Sequence, residues 1–262
     1  LSSSISQKTS KSKEQNLDAT STSPLNSWLL NPYPKPFIRD IYYAYLINGA
    51  RRTKKEGYPI IEGYMVSDIP PKKITQWDQK SQVKDKGIIG MSFYSQDKYL
   101  LGILNQPVKY IEELKNYQVV LGMDASPFDN MPAVVQKSQI FINLSLTYFY
   151  GSVGLKVIPN VRVGTEVTYN SLEAYPKNHL ISIGTNGFIR EKKNIDIFIE
   201  QIKIVVDTLR PTGIIVYGYD YLKRQKIDLF SYPRSKGIPI YQYDSCMMKR
   251  NVLLNAIKNK KG

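Results

Sequence analysis

From Ile88 onward, short β-rich runs alternate with longer runs whose apolar residues recur at helical spacing. This alternation is typical of βαβ units, in which successive strands lie parallel in one sheet and helices cover it. We therefore predict a three-layer α/β fold with a mostly parallel sheet flanked by helices, either an open sheet or a partial barrel. The predicted strands are residues 87–94, 118–123, 155–158, 179–183, 213–217 and 238–243.

The helices between these strands have recognisable boundaries. Pro107 and Pro132 each begin a predicted helix, because proline is favoured in a first helical turn. The clearest pattern runs from Ile195 to Leu209, where apolar residues form one stripe before Pro211 ends the helix. That stripe predicts a helix that packs on the sheet. Shorter helices are predicted over residues 38–50 and 247–259.

The first residues of the chain differ in composition from the rest. Residues 1–26 are dominated by Ser, Thr, Lys, Gln and Asn, so ordering them would cost entropy without burying apolar surface. We expect residues 1–26 to form a disordered tail and residues 27–262 to form a single α/β domain. Residues 28–37 contain three prolines and are expected to dock on the domain in an extended path.

Cysteine usage and hydropathy limit the setting of the protein. Cys246 is the only cysteine, which excludes an intrachain disulfide and a four-cysteine zinc site. We therefore expect a reducing, cytoplasmic location. No apolar run reaches the roughly 18 to 20 residues that a membrane-spanning helix needs, so no membrane partner is expected.

The formal net charge of +14 is the strongest global signal, because a positive field attracts polyanions. Nucleic acid is the expected partner, and the alternative is a lysine-rich surface without a polyanionic ligand. Tyrosines beside cations could also stack unpaired bases, unless they are packed as strand residues. The candidate nucleic-acid-binding residues are Arg51, Arg52, Lys54, Lys55, Arg162, Tyr219, Lys223 and Arg224.

Polar residues follow several predicted strands, at the edge where ligands bind in parallel sheets. Asp124 comes after the most apolar strand, where a carboxylate could bind a divalent cation or act as a base. The alternatives are a helix cap or a loop acceptor, since Asp and Ser are common in both. The candidate catalytic residues are Asp124, Ser126, Asp129 and Asp220, with Asp124 also the candidate metal ligand.

Two further residues receive separate interpretations. Arg162 could bind a phosphate through its planar guanidinium, or pair with one of the aspartates. His179 is the only histidine and precedes a predicted strand, so it is interpreted as structural. The sequence contains no phosphate-binding loop, no G-x-S-x-G elbow and no His-x-x-x-His pair, which excludes the common serine hydrolases and zinc proteases.

Four runs carry a resemblance to a known family: VVLGMDASPFDNMP at 119–132, GLKVIPNVRVG at 154–164, ISIGTNG and RPTGIIVYG. Together they resemble an uncharacterised family, a domain of unknown function found in bacterial, phage and other mobile-element proteins, with a GMD-x-S…MP…IPN…YG pattern. The resemblance implies a setting of mobile-element replication or defence. GMDASP and VYG are also similar to motifs of uracil-DNA glycosylases, but YQYDSC replaces the second catalytic motif of that fold.

The sequence therefore predicts a nucleic-acid-associated protein of a phage or plasmid-type mobile element that binds or acts on DNA or RNA. The alternative is a protein-binding inhibitor or assembly factor without catalytic activity, with residues 28–37 and the tail at 1–26 as attachment points. A divalent cation is the cofactor that a site at Asp124 would take.

Overall fold

A computed structural model describes residues 44–95, 97–185 and 192–250 of the chain. The predicted tail at 1–26, the docking segment at 28–37 and parts of the first and last predicted helices lie outside these described residues. Of the first predicted helix, Ala44–Ile47 form a 3-10 turn. Within the described ranges, no helix is both long and apolar enough to cross a membrane.

Two parallel sheets form the centre of the molecule. The first has four strands in the order β1-β2-β3-β4, and the second has three in the order β5-β6-β9. Two short strands, β7 and β8, pair as an antiparallel hairpin between β6 and β9. The bounds are β1 Lys73–Gln76, β2 Ile89–Ser92, β3 Val119–Leu121, β4 Val157–Ile158, β5 Leu180–Gly184, β6 Gly213–Tyr217, β7 Tyr221–Leu222, β8 Ile227–Asp228 and β9 Ile240–Tyr243.

The two sheets meet just after β4, beside the middle of β5. Asn160 forms a parallel bridge with Ser182, so the chain after β4 lies beside β5. At the amino ends of β4 and β5, the segment around residues 66–68 lies between the two strands. On one side, Val66 pairs with Val157 of β4. On the other side, Asp68 accepts a hydrogen bond from the Leu180 backbone N–H at 3.2 Å. The sheets are therefore joined just after β4 and held apart at their amino ends.

Alternate residues of the strands pack on opposite faces, as a pleated sheet requires. Val120, Ile214 and Val216 belong to the large core that the helices cover. Their neighbours face a second, smaller cluster made entirely of residues in or next to strands: Ile74, Tyr94, Val119, Leu121, Ile158, Leu180, Ile215 and Tyr217. Because side chains from both sheets meet in this cluster, the strands curve around it. The partial barrel is therefore the predicted alternative that the packing favours.

In the described residues, no strand ladder joins the two edges of this partial barrel, β1 and β9, but they approach each other. The Tyr243 hydroxyl, on edge strand β9, donates a hydrogen bond to the backbone oxygen of Pro71 at 2.5 Å. Pro71 lies just before β1, the edge strand of the other sheet. Side chains rather than backbone pairing therefore link the two edges.

In the described ranges, five α-helices lie between the strands, and the two strongest sequence predictions are confirmed. The helix predicted after Pro132 is α3, and the striped helix is α4, whose residues Ile195, Phe198 and Ile202 are buried. The sequence did not predict β1, the β7–β8 hairpin or α1, because each is short and only partly apolar. The bounds are α1 Asp97–Asn105, α2 Ile111–Leu114, α3 Ala133–Ser152, α4 Lys192–Leu209 and α5 Ser231–Ser235.

Candidate functional site

Buried polar side chains collect at the carboxyl ends of β2, β3, β4 and β5. This group, the polar cluster, lies where parallel sheets commonly bind ligands. Each member is less than a tenth exposed, although polar groups are rarely buried without partners. Its members are Tyr94, Asp124, Asn160, Arg162 and Thr185.

The centre of the polar cluster is an ion pair between Asp124 and Arg162. Arg162 Nε lies 2.5 Å from Asp124 Oδ1, and Arg162 Nη2 lies 2.9 Å from Oδ2. Both side chains are buried, with 10% of the Asp124 side chain and 6% of the Arg162 side chain exposed. This two-point geometry is the strongest that a guanidinium and a carboxylate form. Of the two sequence interpretations of Arg162, the structure shows the pairing with an aspartate.

Asn160 connects this ion pair to the barrel interior. Its Nδ2 donates to Asp124 Oδ1 at 2.7 Å and to the Met123 backbone oxygen at 3.0 Å. Its Oδ1 accepts a hydrogen bond from the Tyr94 hydroxyl at 3.1 Å. Burial raises the pKa of Tyr94, so the phenol stays protonated and remains a donor at neutral pH. The Asn160 amide therefore has a partner on each side.

Two stacked tyrosines fill the interior beside the polar cluster. The Tyr94 and Tyr217 rings lie 4.8 Å apart and 6° from parallel. The Tyr217 hydroxyl accepts a hydrogen bond from the Cys246 backbone N–H at 3.3 Å. Gly184 leaves room for the stack, because a Cβ there would lie 2.8 Å from the Tyr94 ring. This part of the barrel is therefore occupied by aromatic rings.

The other candidate catalytic residues have separate surroundings. Ser126 is half-buried and Asp129 is exposed, in the segment between β3 and α3. Asp220 pairs with Arg234 at 2.5 Å, at the base of the β7–β8 hairpin. No group of three or more His, Cys, Asp or Glu in the described ranges could hold a metal ion. Asp124 is instead bonded to Arg162 and Asn160.

Thr185 is the polar cluster member without a visible partner. Its side chain is fully buried, yet its hydroxyl makes no hydrogen bond within the described residues. Its backbone N–H donates to the Tyr217 oxygen at 3.1 Å, which fixes its position at the end of β5. The sequence pattern did not single out Tyr94, whereas Asn160 and Thr185 are among the polar residues that follow predicted strands.

The cations at positions 51, 52, 54 and 55 are exposed, and an ion pair neutralises one of them, Arg51. Arg51 forms a two-point pair with Glu62, at 2.7 and 2.9 Å. Arg52, Lys54 and Lys55 are exposed and form no ion pair within the described ranges. His179, interpreted as structural, lies 3.2 Å from Asp68 at the amino end of the sheet, away from the polar cluster.

The second predicted basic cluster forms the turn of the β7–β8 hairpin. Leu222 pairs with Ile227, so residues 223–226 connect the two strands. Lys223, Arg224 and Lys226 are all exposed, and Lys226 has a left-handed φ of 55°. Tyr219 packs against the main core, so its ring is partly covered. We call Lys223, Arg224 and Lys226 the basic turn; the sequence pattern had not singled out Lys226.

Comparison with known proteins identifies a family without a described activity. A family model described as a domain of unknown function, DUF4417, matches residues 56–233. This range includes the polar cluster, the basic turn and most of the two sheets. No curated protein and no solved structure matches the chain. The chain therefore belongs to the DUF4417 family.

Proposed function

We propose that this protein binds nucleic acid and that the basic turn contacts the phosphate backbone. The observation that supports the proposal most is the conformation of Lys226. A side chain with Cβ is disfavoured in the left-handed region, where glycine and asparagine are preferred. A lysine held there at φ 55° gives the turn a third cation at some cost in stability.

The charges of the basic turn are available to a ligand. None of the ion pairs found within the described residues includes Lys223, Arg224 or Lys226. The hairpin itself is anchored, because Arg234 pairs with both Asp220 and Asp228 at its base. Exposed lysine and arginine side chains on an anchored turn suit phosphate contacts, which give affinity without sequence preference.

A second group of cations lies at the same end of the sheet. Lys249 and Arg250 are exposed on a helical segment that follows β9. The ends of β6 and β9 lie together, since the Gly218 N–H donates to the Tyr243 oxygen at 2.9 Å. The basic turn follows β6 and this segment follows β9, so a nucleic acid could contact both. The mobile-element setting implied by the sequence resemblance stays a prediction.

The salt dependence of binding tests this proposal. We expect the triple variant Lys223→Gln, Arg224→Gln, Lys226→Gln to bind labelled single-stranded DNA at least tenfold more weakly at low salt. Losing three phosphate contacts should also reduce the slope of log K against log salt by about 2. Fluorescence anisotropy titrations at several salt concentrations measure both quantities.

A control variant with the same charge loss separates local contacts from net charge. Lys115→Gln, Lys137→Gln, Lys203→Gln removes three cations that already pair with glutamates. We expect this control to keep a slope within about 1 of the parent value. Equal losses in both triple variants, or no binding by the parent at low salt, would contradict a role for the basic turn.

A protein partner is the second candidate function. Several apolar side chains near the start of α3 are exposed, including Phe128 at 53% and Val134 at 69%. Val167 is also exposed, at 46%. It lies close in sequence to Thr165, whose backbone N–H donates a 2.8 Å hydrogen bond to Gln136 of α3. An apolar surface of this kind suits protein contact. A parent protein that binds no DNA or RNA at low salt would favour this candidate.

A further inference from the structure

We infer that a second anion site, separate from the basic turn, lies at the amino end of β6 and β9 and takes a phosphate monoester of nucleotide size. The site is a groove of about 460 Å³ lined by Val206, Asp207, Arg210, Pro211, Lys236 and Ile238. We call it the amino-end groove. Its volume is within the range of small-molecule sites.

The position of the amino-end groove separates it from the other features. Pro211 precedes β6 and Ile238 precedes β9, so the groove lies where these parallel strands begin. The basic turn and the polar cluster both follow the ends of strands. A ligand in the groove would therefore occupy the opposite end of the sheet from nucleic acid on the basic turn.

The groove combines two cations with an apolar wall. Arg210 and Lys236 are exposed and form no ion pair in the described part of the chain. Val206 and Pro211, which also line the groove, are buried. The one lining carboxylate, Asp207, accepts a 2.7 Å hydrogen bond from the Tyr232 hydroxyl. Two cations can therefore bind phosphate oxygens while the wall covers the less polar part of a ligand.

Lys236 has a defined place at this groove. Its Nζ lies 5.3 Å from the centre of the Tyr232 ring, within the range of a cation–π contact. Its backbone N–H donates to the Tyr232 and Pro233 oxygens at 3.2 and 3.1 Å. The same tyrosine therefore holds both Lys236 and Asp207 at the groove.

The backbone at Arg210 gives an independent reason to expect a ligand. Arg210 ends α4 in the left-handed region, with φ 49°, and its N–H donates to the Val206 oxygen at 2.8 Å. Glycine is the usual residue at such a helix end, and a residue with Cβ is less stable there. A strained residue whose charged side chain lines a groove suggests a functional contact.

A purely structural role for Arg210 makes a different prediction. A cation at the end of a helix interacts favourably with the helix dipole, so its removal would lower stability and leave ligand binding unchanged. The ligand role predicts the opposite pattern. Arg210→Gly should keep or raise the melting temperature, because glycine relieves the left-handed strain, and should weaken phosphate binding.

Adenosine monophosphate, measured by calorimetry on the full chain, is the first probe. We expect the parent to bind it, and Arg210→Gly and Lys236→Gln each to bind it at least tenfold more weakly. Lys115→Gln is the charge-matched control, since it removes an exposed cation at the end of α2 that pairs with Glu112 and lies outside both proposed sites. We expect it to bind adenosine monophosphate as the parent does.

Two oligonucleotides, with and without a 5′-phosphate, then distinguish the sources of the phosphate. If the phosphorylated strand binds more tightly and Arg210→Gly abolishes this difference, the site takes a nucleic-acid end. If only the mononucleotide binds, the site takes a free nucleotide. No binding of either phosphate probe by the parent, or unchanged binding by both groove variants, would overturn the inference. Neither result depends on the basic turn, which the triple variant of Lys223, Arg224 and Lys226 tests separately.

Discussion

Asp124→Asn is expected to lower the free energy of unfolding by about 3 kcal/mol, because it leaves the buried Arg162 guanidinium without a counter-charge. The introduced amide can still accept one hydrogen bond through its oxygen, but the second oxygen, which Arg162 Nη2 contacts at 2.9 Å, is replaced by a nitrogen. For a domain of this size the loss corresponds to a melting temperature about 6 to 12 °C lower. Thermal and urea unfolding, followed by circular dichroism, measure it.

Two controls show whether the unpaired charge is the cause. Asp129→Asn removes an exposed carboxylate from the following loop and should change stability by less than about 0.5 kcal/mol. The double variant Asp124→Asn, Arg162→Gln removes both charges, so it should be more stable than Asp124→Asn alone.

The catalytic interpretation of Asp124 predicts a different result. If Asp124 acts mainly as a metal ligand or a base, Asp124→Asn should abolish activity while the melting temperature stays at the parent value. A preserved melting temperature would therefore contradict the structural role proposed for the ion pair. A double variant that simply adds the losses of both single variants would contradict the unpaired-charge explanation.

Gly122→Ala is expected to destabilise the protein by about 3 kcal/mol, at the upper end of overpacking effects. A Cβ at residue 122 would lie 2.6 Å from the Asn160 backbone nitrogen and 2.8 Å from Thr147 Oγ1. The backbone cannot easily move away, because Gly122 N–H donates to the Ile158 oxygen at 2.9 Å. The added methyl group would therefore push the end of β3 away from the chain after β4.

Gly102→Ala is the matched control for this substitution. Gly102 is exposed within α1, and no atom lies within 4 Å of a Cβ placed there. Alanine in an exposed helix is more stable than glycine by about 0.5 to 1 kcal/mol. We therefore expect the two Gly→Ala variants to shift the urea midpoint in opposite directions. A Gly122→Ala variant as stable as the parent would show that Asn160 can move without cost.

Much of the fold could be predicted from the sequence, because its signals are local. The apolar stripe of α4 and the prolines before α2 and α3 depend only on helix periodicity and on the fixed φ of proline. The strand at 213–217 was predicted with the bounds that the structure has. β1 was not predicted, because its sequence, KITQ, has a single apolar residue. Short edge strands are defined by their neighbour, here β2, rather than by their own composition.

The candidate site could be predicted only as a set of positions. The sequence placed Asp124 and Arg162 after strands, since the carboxyl ends of parallel strands share one edge. It could not determine that Arg162 pairs with Asp124 rather than Asp129 or Asp220, because these contacts join residues far apart in the chain. It also could not show that Asp220 belongs to a hairpin anchored by Arg234.

The sequence by itself determined the α/β class, the main helices, the positive charge and the position of Asp124 at a strand end. These follow from periodicity, composition and the chemistry of single residues. Only the tertiary structure decided that the strands curve around an inner cluster, that Asp124 has a buried guanidinium as its partner, and that Arg210 and Lys236 line one groove. The reason is that an ion pair, a barrel interior and a groove each depend on distances between segments that no local pattern encodes.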